Sequence, residues 1–175
     1  RVGWVVAPHG IREKLVLASE AAILSPSSFS QMILAEYFST HDWKGQIDTF
    51  RGLYQERKDA MVSALAQYSP DIPHTTPTGG FYLWLTLPDG LDSKEMLPRA
   101  VKELVAYTPG TAFYANGDGR ANLRLAFCYP EPSFIEEGIK RLSRVLAEEQ
   151  ELLETFGPTN APLSASLDAP PPEVT

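Results

Sequence analysis

The sequence predicts an α/β chain of the α+β kind, with a small mixed or antiparallel sheet covered by helices. Three observations predict it. Apolar residues alternate with others from Phe81 to Leu87 and from Leu123 to Phe127, the mark of strands with one face on a core. Over Tyr54–Tyr68 and Ile135–Leu146 they recur instead at helical spacing. Between 71 and 156 the elements follow in the order strand, helix, strand, strand, helix, which suits helices gathered on one face of a sheet.

Taken in order, Val2, Val5 and Val6 with Gly3 and Trp4 form a short apolar run ended by Pro8, the profile of a buried strand. Ile11, Leu15, Ala18 and Ala22 lie at helical spacing, Ser25-Pro26-Ser27-Ser28 interrupts, and Phe29, Ile33 and Tyr37 share one face of a second helix. Thr40-His41-Asp42 breaks the pattern again. A longer helix is expected from Trp43 to Tyr68, with Tyr54, Met61, Leu65 and Tyr68 inward and Gln55 to Asp59 solvated. Residues 71–78, with two prolines, read as an extended connector.

Gly79-Gly80 opens the clearest strand, in which Phe81, Leu83, Leu85 and Leu87 alternate with Tyr82, Trp84 and Thr86 until Pro88-Asp89-Gly90 closes it. The glycine pair permits unusual backbone angles or a close approach to some other group, but a plain turn is the simpler reading. Asp92 and Glu95 have the spacing of a capping box for a helix carrying Leu97, Val101 and Leu104, with Pro98 awkward in its early turns. Val105–Thr108 is expected as a short strand, and Ser133 and Glu136 as a cap in competition with Pro132 at a first helical position. From 157 onward the chain is rich in proline, poor in large apolar residues and free of basic ones, a composition that predicts disorder.

Composition narrows the function classes. A formal charge of −7, with basic residues scattered, argues against nucleic-acid binding through this segment. The single cysteine, Cys128, excludes an intrachain disulfide and a multi-cysteine zinc site, and suits a reducing cytoplasm. His9, His41 and His74 stand far apart, and no apolar run reaches the roughly 20 residues needed to span a bilayer. No initiator methionine opens the chain, and RVGWVVAP reads as the interior of something longer.

The residue of most chemical interest is Arg124. Leu123, Leu125 and Phe127 take the core face of their strand, so Arg124 points off it, after a Pro109-Gly110 turn and the glycine-rich Asn116-Gly117-Asp118-Gly119 loop. A guanidinium so held can grip a carboxylate with two parallel hydrogen bonds. Taken alone, the same residue also reads as an edge-strand arginine in a surface ion pair.

Four blocks, RVGWVVAP, GGFYLWLTLPDG, TPGTAFYANGDGRANLRLAF and FIEEGIKRL, stand in an order and at a spacing that resemble the C-terminal half of a fold type I pyridoxal-phosphate-dependent aminotransferase. The resemblance covers Arg1 to about Leu146. It is closest to the 2-aminoadipate aminotransferases and to the aminotransferase-like domains of bacterial regulators. It implies that 1–45 is the end of a large cofactor-binding domain, 46–70 a connecting helix, 71–156 the small C-terminal domain, and 157–175 a proline-rich tail. It implies pyridoxal 5′-phosphate as cofactor, amino acids and 2-oxo acids as substrates, and a homodimer when intact. It places Arg1 at the cofactor phosphate and Arg124 at the substrate α-carboxylate. The family's cofactor-bearing lysine falls before Arg1, and none of Lys14, Lys44, Lys58, Lys94, Lys102 and Lys140 stands in its motif. No residue of the chain is therefore expected to be catalytic, and the chain alone is expected to be inactive. An effector-sensing domain of a transcriptional regulator, or a binding domain over 71–156 in which Arg124 is structural, are the competing expectations.

Overall fold

Helix boundaries follow local chemistry closely in both of the units into which the chain divides, Arg1–Phe50 and Arg51–Thr175. A computed structural model describes residues 2–157. Arg1 and the tail beyond Gly157 lie outside the described residues. In the first unit α1 (His9–Ile23) follows Pro8, and α2 (Ser28–Thr40) is capped by the Ser27 hydroxyl, which accepts from the Ser30 amide at 3.3 Å. Neither helix buries a residue, and Ile11, Leu15, Phe29 and Ile33 of the expected inner faces are exposed. The strand expected over Val2–Val6 does not form. A strand needs a neighbour for its ladder, and none of the described strands pairs with it.

α3 (Trp43–Tyr68) has the extent expected of the long helix. Its later turns bury Met61, Ala64 and Leu65 in the core of the second unit, and Tyr54 and Tyr68 pack at the edge of that core. Arg57, expected on the solvated side, is half-buried and donates to the Cys128 carbonyl at 2.8 Å, tying the helix to the chain after the last strand.

The sheet has three strands in the order β1-β3-β2, all antiparallel: β1 (Tyr82–Thr86), β2 (Thr108–Pro109) and β3 (Asn122–Ala126). The expected strand at Val105–Thr108 is displaced to Thr108–Pro109, and Val105 and Tyr107 are buried as core residues outside the ladder. The connector is extended as expected and runs along the far edge of β1. Thr75 N donates to Trp84 O and Thr86 N to Pro73 O, each at 2.9 Å, around a bridge from His74 to Leu85.

Period-two alternation divides the sheet into two faces. Leu83, Leu85, Leu123 and Leu125 face a core that also holds Phe127 and the inner residues of α5. Each such side chain contributes roughly 1.5–3 kcal/mol on burial. Phe81 departs from the alternation: it lies at the start of the strand, 43% exposed, with its ring edge-on to Tyr54.

α4 (Ser93–Lys102) is capped as expected by Asp92, which accepts from Lys94 N at 2.8 Å and Glu95 N at 3.3 Å. Its buried face is Ser93, Met96 and Ala100, however, while Val101 and Leu104 are exposed and only Leu97 packs at the core edge. The cap sets where the helix starts, and the small residues let it lie close to its neighbours. Pro98 sits inside the helix without ending it. α5 (Pro132–Phe156) starts with Pro132 in its first turn after Glu131, so Ser133 is not its cap. The ring's fixed φ and missing N–H suit that position. Ile135, Ile139, Leu142 and Leu146 are buried as their spacing predicts, with Val145 beside them.

Candidate carboxylate site

The face of the sheet opposite the leucines carries Tyr82, Trp84, Thr108, Asn122 and Arg124. Pairing sets their neighbours: Arg124 in the central strand lies opposite Trp84 of β1 and Thr108 of β2, and Tyr82 is its diagonal neighbour. The Arg124 guanidinium carbon lies over the Tyr82 ring, 3.9 Å from its centroid, and over the Phe113 ring at 4.7 Å. Its Nη2 reaches the Thr108 hydroxyl only at 3.5 Å, the outer limit of a hydrogen bond. Its Nε is buried with no hydrogen-bond partner among the described residues.

Phe113 comes from a single turn of 3-10 helix, Gly110–Phe113, that follows β2 directly. Gly110 allows that turn to lie against β3. A Cβ on it would stand 2.6 Å from Asn122 Cβ and 2.7 Å from Asn122 O, and closer still to Gly119 O. Gly119 faces it from the glycine-rich loop, at φ +82°. The turn brings Phe113 edge-on to Trp84, centroids 5.3 Å apart, with Tyr114 beyond. Asn122 closes this side of the sheet by donating to Thr86 Oγ1 at 3.1 Å.

A charged donor buried without a partner is costly, on the order of 1–3 kcal/mol, and such groups concentrate where function uses them. The described partners of Arg124 are ring faces and a hydroxyl, so the arrangement suits gripping and orienting an anion more than moving a proton. A carboxylate or a phosphate can match the fork with two parallel hydrogen bonds. Of the two residues singled out in the sequence, Arg124 stands in this constellation and Arg1 lies outside the described residues. Tyr82, Phe113 and Thr108 were not foreseen as its partners. Alternation had already put Tyr82 beside Trp84 on the outer face, but no local pattern links Phe113 to an arginine eleven residues away.

Arg124 thus stands part-buried on the outer face of a helix-backed antiparallel sheet. The chain belongs to the aminotransferase class I and II family, whose model matches residues 1–142. It is 42% identical over 151 residues to aromatic-amino-acid aminotransferase 1 of Thermococcus litoralis, covering 85% of this chain and 36% of that protein. The alpha-aminoadipate aminotransferase of Thermus thermophilus, solved with N-(5′-phosphopyridoxyl)-L-leucine, superposes with a TM-score of 0.76 at 34% identity, over 84% of this chain and 38% of that one. A helix-turn-helix transcriptional regulator of Bacillus subtilis is 30% identical over 141 residues, 80% of this chain and 29% of its own. The chain thus spans little more than a third of the aminotransferases it matches.

Proteins of this family depend on pyridoxal phosphate. The described residues fit one part of what that chemistry requires. The buried, unpartnered Nε of Arg124 suits the carboxylate of an amino acid. No lysine is among the described hydrogen-bond or ring partners of Arg124.

Proposed function

We propose that this chain is the C-terminal part of a pyridoxal-phosphate-dependent aminotransferase that moves an amino group between an amino acid and a 2-oxo acid. Arg124 grips the substrate α-carboxylate, and Arg1 meets the cofactor phosphate. Residues 1–45 end the large cofactor-binding domain, 46–70 form the connecting helix and 71–156 the small domain, and the intact enzyme works as a cytoplasmic homodimer. Amino-group transfer is the cofactor's chemistry when it is bound. The part taken by this chain is to bind the substrate and hold its carboxylate in one orientation. The observation that carries the reading is Arg124 itself, a guanidinium held against two rings with a buried Nε that has no described partner.

The test is Arg124→Ala in the full-length protein. Removing one partner of a desolvated, bidentate ion pair costs roughly 2–5 kcal/mol. At about 1.4 kcal/mol per tenfold, amino-acid use should fall by one to several orders of magnitude. Arg124→Lys should recover part of it, because an ammonium lacks the fork. An exposed surface ion pair would contribute at most about 1 kcal/mol. Single-turnover rates of Arg124→Ala within a few-fold of the parent refute the assignment.

The likeness to a transcriptional regulator supports a second reading, an aminotransferase-like domain that senses an amino compound without turnover. The sequence encoded upstream of Arg1 separates the two. A basic helix-turn-helix segment favours the regulator, and an arm leading into a large domain favours the enzyme.

A further inference from the structure

The orientation of Arg124 is not explained by its hydrogen bonds. Its one described hydrogen bond is the 3.5 Å contact to Thr108 Oγ1, too long to lock a planar group, and its Nε has none. What stands against the guanidinium is two aromatic rings. Tyr82 belongs to the ladder of β1 and is set by the register of the sheet. Phe113 lies outside any strand, and three features hold its ring at 4.7 Å: the Pro109-Gly110 turn, the seat of that turn against Gly119 and Asn122, and the edge-on contact with Trp84.

We propose that Phe113 is a positioning residue that presets the Arg124 guanidinium for a carboxylate, the 3-10 turn serving to deliver its ring. This rests on the reading of Arg124 as the carboxylate grip. The physical basis is preorganisation. An arginine side chain free to rotate about its several bonds must surrender that freedom when a ligand docks, whereas one already laid against ring faces has surrendered it on folding. The interaction of a cation with a ring quadrupole supplies the hold, and it occupies the face of the guanidinium without using its in-plane N–H donors. Phe113 is 46% exposed, so it contributes little to the core and can be changed without dismantling the domain.

The experiment uses the full-length protein labelled with nitrogen-15 arginine and compares the parent with Phe113→Leu, Phe113→Tyr and Arg124→Ala. The last identifies the Arg124 Nε–Hε signal by its loss. In the parent that signal should be shifted by ring currents, exchange slowly with water, and move on titration with pyruvate as the carboxylate probe. Phe113→Leu should speed its exchange and weaken pyruvate binding by roughly three- to tenfold, the range expected for one ring–cation contact. In turnover it should raise KM more than it lowers kcat, and Phe113→Tyr should restore both. Unchanged exchange in Phe113→Leu overturns the proposal, as does faster exchange with unweakened pyruvate binding. Failure of Phe113→Tyr to restore binding in a protein with an otherwise parental amide spectrum overturns it too. If the parent's Arg124 signal ignores pyruvate, the carboxylate reading itself falls and the positioning role with it. That outcome is distinct from the others because it appears before any change at Phe113.

Discussion

Replacing Gly110 with alanine tests the seat of the 3-10 turn against a control elsewhere in the same chain. The new methyl carbon would lie 2.6 Å from Asn122 Cβ and 2.7 Å from Asn122 O, and closer to Gly119 O, where ordinary contacts begin at 3.4 Å. Two of these three neighbours are backbone atoms and the third is a Cβ, so no flexible side-chain end can swing away. Relief requires the turn and β3 to separate by several tenths of an ångström. Overpacking of this kind costs about 1–3 kcal/mol, and rigid neighbours put the expected value in the upper half of that range. Gly138 is the control. It lies within α5 with nothing within 4 Å of its Cβ position, so Gly138→Ala should leave stability unchanged or raise it by up to about 1 kcal/mol. Urea denaturation followed by circular dichroism measures both. In a unit of this size 1 kcal/mol moves Tm by roughly 4 °C, so the two variants should melt well apart. The aromatic near-ultraviolet signal of Gly110→Ala should also change, because Phe113 rides on the displaced turn and contacts Trp84. A Gly110→Ala protein within about 0.5 kcal/mol of the parent refutes the claim that this glycine is sterically required.

Two further outcomes follow from other parts of the chain. The Tyr107 hydroxyl donates to Ser93 O at 2.7 Å, and burial above all, with Glu149 and Asp92 adding to it, raises its pKa well beyond the usual tyrosine value. A group whose pKa is raised on folding contributes stability that is complete below its unfolded pKa, about 10, and is lost as pH climbs from there towards the folded value. Stability should therefore decline above roughly pH 10, and Tyr107→Phe should flatten that decline while costing about 0.5–1.5 kcal/mol at neutral pH for the hydrogen bond lost. The 175-residue chain alone, incubated with pyridoxal phosphate and an amino donor, should acquire no stoichiometric bound chromophore and produce no 2-oxo acid. A bound chromophore abolished by mutating one resident lysine would refute the assignment of the amine to a position outside the chain.

How much of this was legible in the sequence depended on range. β1 and β3 could be read because alternation of leucines with larger polar or aromatic residues is a property of one strand. α3 and α5 could be read because their buried faces repeat over several turns. The same periodicity misled in α4, where Leu97, Val101 and Leu104 outweigh Ser93, Met96 and Ala100 in hydrophobicity although the second set is inside. Small residues carry little weight in an apolar pattern, yet they are what permits close packing. The opening valines failed for a different reason, since apolar composition describes a strand's surroundings but cannot supply its hydrogen-bonding neighbour. At the site, the outward direction of Arg124 was readable from its flanking leucines. Its partners were not, because Trp84, Tyr82 and Thr108 meet it through inter-strand register and Phe113 through a turn whose path depends on a contact between Gly110 and β3.

The single position of Arg124 also bears on how the sheet avoids mispairing. A strand of alternating residues can slip by one against its neighbours and still satisfy its ladder, exchanging its two faces as it does so. For β3 such a slip would turn Leu123 and Leu125 to the outside and push a guanidinium into the leucine layer, where a lone charge is penalised by several kcal/mol. Domains of ordinary stability, about 5–15 kcal/mol in all, have little margin for a misregistered state of that kind. The arginine proposed to recognise a ligand thereby also acts as a sentinel against the wrong strand pairing, so folding fidelity and ligand recognition constrain the same residue.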